Sequence, residues 1–278
     1  QRKRAWYRYV QSNNATGGGK LFKWVQRTQM EVHLTQLKPQ SPNGENTLTG
    51  RLQAAAAAWH LLWEGGKPHV PSYNDALRPL AGADLREVLK KMPEGKAKGA
   101  DGWSPKELLS LPHSWLGKLA EFYNAWEKHG QWPQVLNNTI IALVPKTGAT
   151  HEGQLRPIGI MPYIYRLWMA ARRKDAKHWS LGIHGGKHLG ASALAYATQV
   201  RIEKAHWAGE HVLIAFLDCS KCYERIEHSI AGQDTVATGC PDTIANMVFH
   251  QYAGNRIVRA HGAVARPLRG NHGLIAGC

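Results

Sequence analysis

The chain has 278 residues, with 35 Lys and Arg against 20 Asp and Glu, for a formal net charge of +15. A hydrophobic fraction of 43% is enough to bury a core, and the length fits one large domain or two small ones. No apolar run approaches the roughly 18 residues of a membrane-crossing helix, and four cysteines do not make a disulfide framework. The chain begins at Gln1 without a signal-peptide pattern and ends at Cys278, so it reads as a fragment of a longer polypeptide.

The positive charge is concentrated. Residues 1–60 carry nine basic and two acidic groups, and residues 151–200 carry seven and two. Two basic blocks in a chain of pI 9.8 point to a polyanionic partner, most simply nucleic acid. Cys219 and Cys222 have C-x2-C spacing but no second pair, so a closed zinc site would need histidines from elsewhere. Reduced thiols in an intracellular setting are the expectation.

In chain order, residues 1–80 have the composition of a connecting region. NNATGGGK (Asn13 to Lys20) and KPQSPNGENTLTG (Lys38 to Gly50) are polar loops. The GGGK is not a phosphate-binding loop, because Leu21 follows the lysine where Ser or Thr is needed. Leu21 to Leu37 and Thr49 to Trp63 have helical patterns, and Trp59 with Trp63 at i,i+4 forms a packing stripe. Asp84 to Met92 predicts a short helix capped by its aspartate. Pro105 opens another, ending near Leu111. Trp115 to Lys128 is a longer helix, with Leu116, Leu119, Phe122 or Tyr123, and Trp126 on one face.

Thr139 to Val144 is a buried strand, followed by helices over Ile160 to Trp179 and Ser192 to Trp207. His211 to Leu217 predicts a second buried strand. Pro241 to Tyr252 is helical, and Arg256 to His261 with Val264 to Arg269 make two strands across a tight turn. Few strands among many helices imply an α+β architecture.

The chemistry is concentrated in AFLDCSKCYERI, Ala215 to Ile226. An apolar strand delivers Asp218 at its end, and Tyr223 stands five residues later. A carboxylate at a strand mouth suits Mg²⁺, with the Cys219 carbonyl as a further oxygen donor. On its own, the same carboxylate also fits an N-cap of the following helix.

The stretch resembles motif A of reverse transcriptases in the form found in non-LTR retrotransposons and group II introns, D-x-S-K-A-F-D-R-I. Other segments follow in the family's order. GKAKGADGWSPKELL (Gly95 to Leu109) is similar to its first block, and IIALVPK with LRPIGIMPYIYRLWMAAR (Ile140 to Lys146, Leu155 to Arg172) to its fingers block. RGNHGLIAGC (Arg269 to Cys278) resembles the start of motif B, with Ile275 and Ala276 in place of the usual Pro and Gln.

The resemblance implies a right-hand polymerase of α+β class. A basic connector at 1–81 would precede a polymerase domain over 82–278, here its fingers and the start of the palm. Asp218 would hold Mg²⁺, or Mn²⁺ in its place, helped by Cys219. Tyr223 would be the ring that excludes a 2′-hydroxyl, and an RNA-dependent RNA polymerase carries Asp there instead. Lys146 and Arg156 would grip the triphosphate, and Gly277 would touch the nucleotide through its backbone. The implied partners are an RNA template, a DNA primer and dNTPs, with no membrane.

The family's aromatic-x-Asp-Asp motif has no counterpart in the chain, so these residues alone are expected to bind nucleic acid without polymerising. A non-catalytic RNA-binding remnant, a maturase-like splicing factor and an RNA-dependent RNA polymerase are the alternatives.

Overall fold

The structure is a computed structural model that describes residues 47–73, 77–144, 154–176, 179, 191–213, 219–260 and 263–275. It is a helix-rich α+β fold around one small mixed sheet. The helices are α1 (Leu48–Trp63), α2 (Gly82–Lys91), α3 (Pro105–Ser110), α4 (His113–His129), α5 (Tyr163–Arg172), α6 (Ala191–Trp207), α7 (His228–Ala237) and α8 (Asp242–Tyr252). The strands are β1 (Asn138–Val144), β2 (Arg156–Ile160), β3 (Asn255–Ala260), β4 (Ala263–Val264) and β5 (Leu268–Arg269). No helix among the described residues is long and apolar enough to cross a membrane.

Local chemistry sets the helix ends. The Thr47 hydroxyl accepts the Gly50 N–H at 3.1 Å and starts α1, and Ser104 does the same for α3 through Glu107 at 3.3 Å. Gly130 closes α4 in the left-handed conformation, φ 65°. Asp84 is not the cap of α2. The helix begins at Gly82, and the Asp84 carboxylate sits in the first turn, accepting the Ala81 N–H at 2.9 Å.

The sheet runs β2-β1-β3-β4, with β5 also paired to β3. β1 is antiparallel to β2 and parallel to β3. β2 lies in a stretch whose second half was expected to be helical. Pro157 lacks an N–H, and β2 at the sheet edge is where a strand tolerates that loss. The helix starts only after Pro162. The expected strand over Val264 to Arg269 is broken into β4 and β5 across Pro267, for the same missing donor.

Two cores result. One packs α2, α4, α5 and α8 around Trp132, whose ring lies 5.2 Å from Trp168, 5.5 Å from Tyr165, 5.6 Å from Trp126 and 6.2 Å from Tyr123. On α4 the buried aromatic is Tyr123, while Phe122 faces out. The second core lies between the sheet and α1. Leu52, Ala55, Trp59 and Trp63 pack on Ile141, Leu143, Val258 and Leu268. Trp59 and Trp63 are buried and stacked at 5.5 Å, a packing stripe as their spacing predicts. α1 lies in the stretch read as connector, yet it forms one wall of a core.

The loop 95–104 is fastened to the start of α5. Asp101 Oδ2 accepts the Ile164 N–H at 2.9 Å, and Arg166 donates to the Ala97 carbonyl at 2.8 Å. Asp101 thereby caps a helix more than sixty residues further on. Arg166 also lies 4.3 Å from the Tyr163 ring, so these side chains pack α5.

Candidate functional site

Three of the singled-out segments meet beside α1. The first is the turn from Cys219 to Glu227. Lys221 adopts φ 52°, and its ammonium lies 4.4 Å from the Trp59 ring. A 3₁₀ turn over Tyr223–Arg225 follows. It leaves Tyr223 57% exposed and turns Glu224 inward, only 9% exposed.

Residues 272–275 lie across that turn. The Leu274 N–H donates to the Tyr223 carbonyl at 2.7 Å and the Gly273 N–H to the Ile226 carbonyl at 2.8 Å. Glu227 and His272 form an antiparallel bridge, and the His272 N–H donates to the Trp63 carbonyl at 3.0 Å. Gly273 is left-handed, φ 78°, and a Cβ there would lie 2.8 Å from the Glu224 Cα. The conformation and the close approach both require glycine.

The third segment is β2. Ile275 packs on Gly159, where a Cβ would overlap its Cγ2. Between the three segments lies a small cleft of about 10 Å³, room for little more than one water molecule, lined by Trp63, Gly159, Glu224, Arg256, Leu274 and Ile275. Arg256 reaches it from β3, buried, with its guanidinium 5.1 Å from the Trp63 ring and an Nη2 donating to the Gly273 carbonyl at 2.5 Å.

His228 opens α7 and is fully buried. Its Nε2 lies 2.9 Å from the Gly273 carbonyl, so that nitrogen carries the proton and donates. Its Nδ1 is buried with no partner among the described residues. Burial, above all, holds the imidazole pKa down to about 4 from 6.5, against the opposing hydrogen bond to Gly273 and with help from Arg256, His272 and His69. The unfolded chain therefore takes up a proton that the folded chain refuses. Stability from this group is full above pH 6.5 and falls as pH drops toward 4. The loss amounts to about 3 kcal/mol. Urea unfolding at pH 7 and pH 4.5 should show a smaller difference for His228→Gln than for the unsubstituted chain; equal differences exclude His228 as the source.

The expected site residues fall into three sets. Tyr223 and Cys219 share the turn just described, both exposed. Arg156 begins β2 opposite Val144 and is exposed. Successive residues of a strand alternate faces. Arg156 thus faces away from Pro157 and Gly159, which line the cleft. Asp218, Lys146 and Gly277 lie outside the described residues. So do most of the expected His211–Leu217 strand and the Leu21–Leu37 helix, and His211–Leu213 have no strand partner among the described residues. Among the described residues, no group of three or more His, Cys, Asp or Glu is arranged to hold a metal.

Glu224, His228 and Arg256 were not anticipated. For Arg256 a signal existed, because it shares strand parity with Val258, which is buried. For His228 and Glu224 no local pattern distinguishes a buried from an exposed position. Protein-family models and curated proteins give no match to the chain.

Proposed function

We propose that the chain is the fingers and beginning of the palm of an RNA-directed DNA polymerase of right-hand architecture. The observation that carries this is the ordered set of four sequence blocks, Gly95 to Leu109, Ile140 to Arg172, Ala215 to Ile226 and Arg269 to Cys278. It is supported by the meeting of three of them at one cleft, where the last block hydrogen-bonds the turn that bears Tyr223.

In this reading Asp218 and the Cys219 carbonyl offer Mg²⁺ or Mn²⁺ the oxygen donors such ions prefer. When bound, the metal lowers the pKa of a primer 3′-hydroxyl and neutralises triphosphate charge. Tyr223, exposed on its turn, presents a flat ring that collides with a 2′-hydroxyl and admits a deoxyribose. Lys146 and Arg156 spread the charge that builds on departing pyrophosphate. For Arg156 this requires its side chain to reach round the edge of the sheet. Gly277 offers backbone contact without a side chain. The chemistry also requires a further carboxylate pair, and no Asp-Asp occurs in these 278 residues.

The test has two arms. The chain should bind an RNA template annealed to a DNA primer, and lose roughly tenfold or more in affinity between 50 and 200 mM salt, as phosphate contacts demand. The polymerase polypeptide carrying this segment should incorporate dNTPs over rNTPs, and Tyr223→Ala should cut that preference by about ten- to a hundredfold, the effect of ~1–3 kcal/mol of lost discrimination. Salt-dependent binding without any extension favours an RNA-binding remnant. A preference for rNTPs favours an RNA-dependent RNA polymerase.

A further inference from the structure

The thiols of Cys219 and Cys222 have no part in the chemistry above. Both are free and exposed, whereas Cys240 is buried. They bracket a turn over residues 220–222. Lys221 in that turn is left-handed, φ 52°, and Cys222 is right-handed helical, φ −51° and ψ −52°. A reversal of this kind brings the first and fourth Cα within about 7 Å, close to the range that a disulfide bridges. The turn is held on both sides. Lys221 rests on the Trp59 ring, and the carbonyl of Tyr223 accepts the Leu274 N–H. Two accessible thiols on a fixed reversal lose little freedom when they join.

We propose that Cys219 and Cys222 are a reversible dithiol site that closes into an intramolecular disulfide on meeting a small-molecule disulfide such as oxidised glutathione. One cysteine sulfur gives up its proton and attacks a sulfur of oxidised glutathione. A mixed disulfide forms and one glutathione leaves as its thiol. The second cysteine gives up its proton and attacks the protein sulfur of that mixed disulfide. The Cys219–Cys222 bond forms and the second glutathione leaves. Two protein thiols are oxidised, one small disulfide is reduced, and both protons end on the glutathione thiols. Excess dithiol reductant reverses the exchange. The site does not depend on the polymerase reading, and its closure locks the turn immediately before Tyr223.

The test uses the full chain in a Cys278→Ser background. It is incubated with oxidised glutathione, quenched with N-ethylmaleimide, and analysed by mass spectrometry intact and after digestion at glutamates. The peptide spanning both cysteines should weigh two hydrogens less than its reduced form and carry neither glutathione nor maleimide. Dithiothreitol should restore both thiols. Cys222→Ser should strand glutathione on Cys219, with about tenfold or more adduct than the parent chain. The proposal is overturned if the parent chain keeps glutathione to the same extent, if the disulfide joins two copies, or if both thiols are alkylated after the incubation.

Discussion

Glu127→Gln lowers the unfolding free energy by about 3–5 kcal/mol, among the largest losses a single substitution should cause here. Glu127 faces the aromatic core from α4 and is only 8% exposed, and Arg172 on α5 is 1% exposed. Glu127 Oε1 accepts the Trp168 Nε1–H at 2.6 Å and the Arg172 Nε–H at 2.7 Å, while Oε2 accepts from Arg172 Nη2. The remaining guanidinium nitrogen donates to the Arg78 carbonyl at 2.9 Å and to Asp175 at 3.0 Å. Glutamine keeps the shape, but it removes the charge and turns an amide donor toward the guanidinium donors. A buried cation is then left undercompensated, which is the expensive outcome. Urea unfolding reads the loss at unchanged m-value. Glu127→Leu with Arg172→Met should recover most of it, because neither charge is then buried. A loss under about 1 kcal/mol for Glu127→Gln means that water reaches the pair.

Gly273→Val should cost about 2–5 kcal/mol and loosen the cleft. The left-handed backbone, φ 78°, alone penalises a residue with a Cβ by about 1–2 kcal/mol. The added carbon would also stand 2.8 Å from the Glu224 Cα, 2.9 Å from its carbonyl oxygen and 3.0 Å from its carbonyl carbon. These are backbone atoms that cannot rotate aside, so relief needs the two segments to part, at a further ~1–3 kcal/mol. Parting them breaks the Leu274–Tyr223 and Gly273–Ile226 hydrogen bonds. Amide exchange at Leu274 should therefore speed up together with the stability loss. Gly95→Ala is the control. Gly95 has φ 72° with nothing within 4 Å of the added carbon, so it should pay only the conformational part. Equal losses at the two positions would remove the steric argument.

Much of the architecture is legible in the sequence because it is local. The helices α1, α3, α4, α6 and α8, the strand β1 and the Trp59–Trp63 stripe follow from periodicity, caps and proline positions. What escaped depends on distant partners. Pro157 and Gly159 look hostile to a strand until β1 is placed beside them and the edge position excuses the proline. Glu127 has the composition of a helix surface and becomes a core residue only because Arg172 and Trp168 arrive from α5. Tyr223 stood out only through the resemblance of its stretch to motif A. Gly273 donates to the turn at Ile226, and His228 and Arg256 hold the Gly273 carbonyl, through contacts that no local window contains. Motif order therefore singled out segments that meet beside α1, while the arrangement of their supports needed the fold.

The position of α1 bears on how the chain reaches this state. Trp63 lines the cleft with Trp59 stacked against it, yet the hydrogen bond between Glu64 and Arg269 just past this helix joins residues 205 apart in sequence. During vectorial synthesis the helix leaves the ribosome early and must wait, with its apolar side bare, until β3 and β5 emerge. A nascent chain halted between these elements carries an unclosed hydrophobic surface, which makes this interval the stage at which chaperone capture competes with aggregation.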